Sequence, residues 1–209
     1  MATVPSAAPS RHRISVDAFH QMGEAGILGP KDRVELIDGE IIDMSPIGVL
    51  HAAIVDALAR HFGRRAGESV FVRCQNPLRL DDISEPEPDI AILRPRADFY
   101  TTAHPGPADV VLVIEVADTS LAYDLGTKVP LYARHGIPEV WVIDAATRRT
   151  RVFRQPAMSR DGGRPAGSGY AEEVSVEPHE PVSCAGVVDD AGGCVVVELA
   201  RLLPPVVTP

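Results

Sequence analysis

The chain is short of cysteine, lysine, positive charge and long apolar runs, and each shortage removes a class of function. Its three cysteines, Cys74, Cys184 and Cys194, are odd in number, widely spaced and without a CxxC pair. They support neither a disulfide framework nor a zinc–thiolate cluster and read as ordinary reduced thiols. Lys31 and Lys128 are the only lysines, and 29 acidic against 20 basic residues leave a net charge of −9. That balance argues against a chain that holds nucleic acid by bulk electrostatics. The longest apolar runs, such as VVLVI and CVVV, are too short to cross a bilayer. The opening MATVPSAAPSRHR has no apolar core of a signal peptide, so residues 1–13 read as a disordered lead and the protein as cytoplasmic, with no membrane partner. Neither GxxxxGK[ST] nor GxGxxG occurs, which removes the common nucleotide-binding loops.

What remains is a globular composition, 45% hydrophobic and 23% charged over 209 residues, expected to fold as one α/β domain over 14–203 with a tail at 204–209. Ser15 is placed to cap a short helix bearing Val16, Phe19 and Met22 on one face. In RVELIDGEIIDMS, Asp38-Gly39 between two β-rich arms predicts a hairpin, with Glu35 and Glu40 on its arms and solvent-facing by default. Residues 49–66 carry Leu50, Ile54, Leu58 and Phe62 at helical spacing, and His51 falls near that apolar arc. SVFVRCQNPLRL is strand-like over 69–80. Strands are expected at 89–94, 110–116 and 139–144 as neighbours in a mixed sheet, with helix 49–66 on one side and a helix near 128–135 on the other. Gly126 and Pro130 weaken the first half of that second helix. RTRVFRQ, EEVSVEPHEPVSC and GGCVVVELARLL supply later strands and a closing helical turn. Residues 148–164 hold Arg148, Arg149, Arg151, Arg154, Arg160 and Arg164 against Asp161, either a local basic patch for nucleic acid or a charged hairpin edge.

Chemistry concentrates between Glu85 and Lys128. VVLVIEV is nearly all apolar, the pattern of a strand covered on both faces, so Glu115 is a carboxylate where charge is costly unless a cation offsets it. Pro86 and Pro88 hold EPEPD extended, so Asp89 opens the preceding strand. Lys128 follows shortly after Glu115. Two acids and a lysine can form a metal site, or Glu115 and Lys128 can be a buried ion pair.

RVELIDGEIIDMSPIG, EPEPDIAILRPRADFY, VLVIEVADTSLAYD and KVPLYARHGIPEVWVID, in this order over about residues 15–155, resemble the Uma-type endonuclease branch of the restriction-endonuclease-like PD-(D/E)xK superfamily. The resemblance implies a central mixed sheet flanked by helices, with an N-terminal helix and hairpin extension. It also implies Mg²⁺- or Mn²⁺-dependent hydrolysis of DNA phosphodiester bonds. Pro88-Asp89 matches the Pro-Asp motif and Glu115 the second acid, with the Val116 carbonyl as a third metal ligand. The superfamily lysine lies two positions after that acid, where this chain has Ala117; in this branch Lys128 on the next helix takes its place. Relatives carry an additional acid near the first helix, a role open to Glu35 or His51. DNA is the implied partner, with room for a homodimer. A catalytically inactive binding or assembly module on the same fold is the alternative. More distant is an acid–base pair of Asp89 and Glu115 acting on a sugar bond, which needs the carboxyl groups about 5–10 Å apart and no metal.

Overall fold

The computed structural model describes residues 11–29, 31–157 and 169–203. Residues 1–10 of the expected disordered lead, the 204–209 tail, and Arg160 and Arg164 lie outside the described residues. The chain runs through α1 (Val16–Glu24), the hairpin β1 (Val34–Ile37) and β2 (Glu40–Asp43), α2 (Val49–Arg65), β3 (Phe71–Cys74), β4 (Ile90–Leu93) and β5 (Val110–Ala117). It continues through α3 (Leu121–Tyr123), a π-helical turn (Asp124–Lys128), α4 (Val129–Arg134), β6 (Glu139–Asp144), β7 (Thr150–Pro156), β8 (Tyr170–Val176), β9 (Val182–Val188), β10 (Cys194–Val197) and α5 (Leu199–Leu202).

Six strands form one mixed sheet in the order β3-β4-β5-β6-β7-β8, in which only β5 and β6 are parallel. Parallel neighbours need a crossover, and α3 to α4 supply it. Strand β5 is buried along its whole length because both sheet faces are covered. Ile90, Ile92, Leu112, Ile114, Val116, Trp141 and Ile143 face Ile54, Leu58 and Phe62 of α2. Ala91, Leu93, Val113, Ala117, Val140 and Val142 face Val129, Leu131, Tyr132 and Ala133 of α4. This is the period-two alternation of a sheet with a helix on each side, and each large side chain so buried contributes about 1.5–3 kcal/mol. The three expected strands are therefore neighbours, and the two helices lie on opposite faces as the pattern predicts.

One local expectation changes, and the structure bears on one alternative that the sequence left open. The strand-like stretch 69–80 pairs only over Phe71–Cys74; Gln75 turns out with φ 51, and its N–H donates to the carbonyls of Pro88 and Asp89 at 3.1 and 3.2 Å. The arginine-rich segment is an acid-paired hairpin edge in its described part. Arg149 pairs with Glu177, Arg151 with Glu173 and Arg154 with Glu139, while Arg148 is buried. Glu173 on β8, Glu177 just after it and Glu139 on β6 pair these arginines, as the charged-edge alternative expects.

At the N-terminus, Ser15 accepts a hydrogen bond from the Ala18 N–H at 3.1 Å and caps α1. The β1–β2 turn places Asp38 and Gly39 at φ 51 and 76, as a two-residue type I′ turn requires. A Cβ on Gly39 would stand 2.6 Å from Arg13 Cβ. Gly39→Ala is expected to cost about 1–3 kcal/mol from the left-handed backbone alone, read as a lower urea midpoint with unchanged slope. A loss under a few tenths would mean that the hairpin tip is not held as described.

Candidate active site

Asp89 and Glu115 are brought together by sheet register. Ile90 pairs with Ile114 across antiparallel β4 and β5, so the residue before Ile90 comes opposite the residue after Ile114, on the same face. The Asp89 N–H donates to Glu115 Oε2 at 3.3 Å, and the Val116 N–H donates to Asp89 Oδ2 at 2.8 Å. Both carboxylates are buried, at 8% and 2% exposure. His51, in the first turn of α2, reaches the other Asp89 oxygen at 2.8 Å, and Gln75 Nε2 approaches it at 3.4 Å. The hydrogen bond to Asp89 raises the His51 pKa against the opposing effect of burial.

Lys128 enters from the helical side. Pro130 has no N–H and its ring crowds the carbonyl four residues back, and the chain widens there by one residue: the Val129 N–H donates to the Asp124 carbonyl, closing a π turn. Such turns recur at functional sites. Asp124 and Lys128 are both buried by it. Lys128 Nζ lies 3.0 Å from Glu35 Oε2 and 3.3 Å from Glu115 Oε1, and Tyr132 donates its hydroxyl to the same Glu115 oxygen at 2.6 Å. Ala117, two residues after Glu115, lies on the same sheet face. A lysine there and a lysine from the covering helix can therefore address one place.

Charge in this cleft is out of balance. Seven carboxyl groups line a space of about 500 Å³, against Lys128 and His51. Burial pushes the Glu115 carboxyl up to about 8; Lys128 works against it, and the Asp89 and Asp124 charges add to it. Burial also raises Asp124, partly offset by Lys128 and by the Ser120 hydroxyl, which donates to it at 2.6 Å. Lys128 moves the other way from what burial dictates: Glu115, Glu35 and Asp124 outweigh desolvation and hold it well above its usual range. These acids favour the charged ammonium, and they exceed what one lysine can compensate. An oxygen-rich donor set with surplus negative charge suits a hard divalent cation.

Glu35 departs from the default for a hairpin acid. It is 2% exposed and accepts the Glu87 N–H at 3.2 Å besides holding Lys128, because β1 leans on the segment before β4 through the Leu36–Glu85 bridge. Glu40 stays on the outside, paired with Arg11. Asp124, Tyr132 and Glu87 were missed by sequence reasoning. Asp124 had a usable signal, since it stands four residues before Lys128 in a helical stretch, a spacing that places two side chains on one face. Lys31 is exposed and away from the cleft.

Residues 16–181 match the family described as "Uma2: Putative restriction endonuclease". No curated protein matches the chain. A solved structure described as "a putative nuclease belonging to DUF820 from Anabaena variabilis ATCC 29413" superposes with a TM-score of 0.65 at 16% identity, covering 91% of this chain and 99% of that one. At that identity the likeness establishes the fold, and the family match covers most of the sequence. By the extent of that match, the chain belongs to the Uma2 family.

Proposed function

We propose that the protein is a Mg²⁺- or Mn²⁺-dependent endonuclease that hydrolyses phosphodiester bonds in DNA. The observation that carries this reading is the pairing of two buried acids, Asp89 and Glu115, on opposed strand positions with Lys128 Nζ at 3.3 Å from Glu115. Asp89, Glu115 and the Val116 carbonyl would hold the cation, which when bound supplies Lewis-acid charge to a phosphate and to water. Lys128 cannot act as a proton acceptor while it remains an ammonium. It orients water by donating a hydrogen bond and offsets negative charge as it develops on the phosphate. Glu35 fixes the lysine from behind, and His51 and the Val116 N–H fix the Asp89 carboxylate. The acidic cleft repels a phosphate backbone, so DNA binding is expected to depend on the divalent ion.

A plasmid nicking assay with Mg²⁺ or Mn²⁺, run beside Glu115→Gln, tests the activity. Equal inactivity of both proteins over a range of metals and DNA forms would move the reading to a non-catalytic binding module. The closed contact of Lys128 with Glu35 and Glu115 is the observation favouring that second reading.

The site also sets a pH dependence. Glu115, raised to about 8 chiefly by burial, keeps its proton at neutral pH in the absence of a cation, and a ligating carboxylate must lose it. Divalent affinity should therefore rise by about tenfold per pH unit below pH 8 and level off above it, one proton being released per ion bound. Isothermal titration in buffers of different ionisation enthalpy measures both quantities. A flat affinity across that window would remove Glu115 from the ligand set.

A further inference from the structure

Outside the cleft, His20, Glu85 and His104 converge, with one ligand atom from each within 4.8 Å of the others. They come from α1, from the chain before β4 and from the loop between β4 and β5, and none lines the acidic cleft. His20 Nε2 stands 2.5 Å from Glu85 Oε1. The His20 and His104 rings meet edge to face, with centroids 6.1 Å apart.

A separate observation points to a missing partner. Glu85 is 2% exposed, yet its Oε2 has no hydrogen-bond partner among the described residues. Buried carboxylate oxygens are normally satisfied. The Glu85 main chain is anchored to β1: its N–H donates to the Leu36 carbonyl at 2.7 Å and its carbonyl accepts from the Leu36 N–H at 3.4 Å. His104 is held from the other side: the next residue, Pro105, is buried and accepts the Arg79 N–H at 3.0 Å.

We propose that His20, Glu85 and His104 bind one Zn²⁺ ion. Two imidazoles and a carboxylate form a mixed nitrogen and oxygen set that suits zinc, whereas Mg²⁺ prefers oxygen alone. The two sites of the molecule therefore select different ions. Ligand atoms around a tetrahedral zinc with bonds of about 2 Å stand roughly 3.3 Å apart, so His20 and Glu85 separate slightly from their hydrogen-bonded spacing when the ion enters. Three protein ligands leave the fourth position to water. The ion ties α1 and the β4–β5 loop to the segment that runs on into Asp89.

The test uses the full chain carrying Glu115→Gln, stripped with a chelator, so that the cleft contributes little. Zinc chloride titrated calorimetrically should bind with one equivalent and raise the melting temperature, while Mg²⁺ at the same concentration should do neither. Co²⁺ in its place should give the visible absorption of a low-coordinate nitrogen and oxygen site. Adding His104→Ala, a change at an exposed loop side chain, should weaken zinc binding by about 100-fold or more and abolish the melting shift. His20→Ala should do the same. Absence of the zinc equivalent in the Glu115→Gln chain, or equal zinc affinity with His104→Ala, would overturn the proposal and leave His20 and Glu85 as a simple contact pair.

Discussion

Asp89→Asn and Glu115→Gln are expected to weaken divalent-cation binding by at least about 100-fold and to lower DNA nicking by about 10³-fold or more, since partners outside the ligand shell already cost 10–100-fold. Both substitutions keep shape and remove charge. The effect of Glu115→Gln on stability should run the other way. Glu115 is buried beside Asp89 and Asp124, and the pH at which it ionises is pushed up to about 8, so its charge is a cost to the cation-free fold above that pH. Lys128 retains Glu35 at 3.0 Å when Glu115 is neutralised. Glu115→Gln should thus melt no lower than wild type at alkaline pH while losing the cation, the trade of stability for function expected of a working acid. A purely structural ion-pair acid would behave differently: its loss would lower the melting temperature and leave cation binding intact. Calorimetric titration and thermal melting on the same samples separate the two.

Lys128→Met should leave divalent affinity within a few-fold of wild type and lower turnover by about 10²–10⁴-fold, the scale of losing a charge-stabilising or water-orienting group. Methionine keeps most of the apolar stem, which lies in a fully buried setting. Removing the ammonium leaves Glu35 and Glu115 facing each other, and such broken buried pairs cost about 3–5 kcal/mol when no proton is taken up. Glu115, raised to about 8, already carries its proton at neutral pH, so the loss should be smaller there than at alkaline pH. Turnover must therefore be measured where the variant is still folded, with circular dichroism on the same preparation. Wild-type rates in folded Lys128→Met would make the lysine a structural partner of the two acids. No replacement would be at hand, because Lys31 is exposed and outside the cleft.

Elements with a local physical cause were legible in the sequence. Ser15 announces α1 because a cap acts within three residues. Asp38-Gly39 announces the hairpin because few residue pairs accept positive φ twice. The all-apolar β5 and the helical stripe of α2 predict which surfaces are covered. Glu115 stood out for a related reason, a charge inside an apolar run. By contrast, the extent of β3 and the pairing of the arginines were set by partners distant in sequence. Gln75 leaves the ladder to bond Pro88 and Asp89, and Arg154 is claimed by Glu139 on the neighbouring strand.

By itself, then, the sequence determined the α/β architecture and singled out the two acids, one opening a strand and one inside an apolar run, because period, capping and turn chemistry act over a few residues; the register of β4 against β5 set them face to face. Tertiary structure alone decided that Glu35 turns inward onto Lys128, that Asp124 joins the cleft through a π turn, and that His20, Glu85 and His104 meet. Both arms of β1–β2 are β-rich, and only the surface they lean on selects the buried face. A lysine on a helix can point to several places until packing fixes the helix over the strand ends. Residues from three separate segments share no local signal, and what unites them is the register of the sheet and the packing of the loops around it.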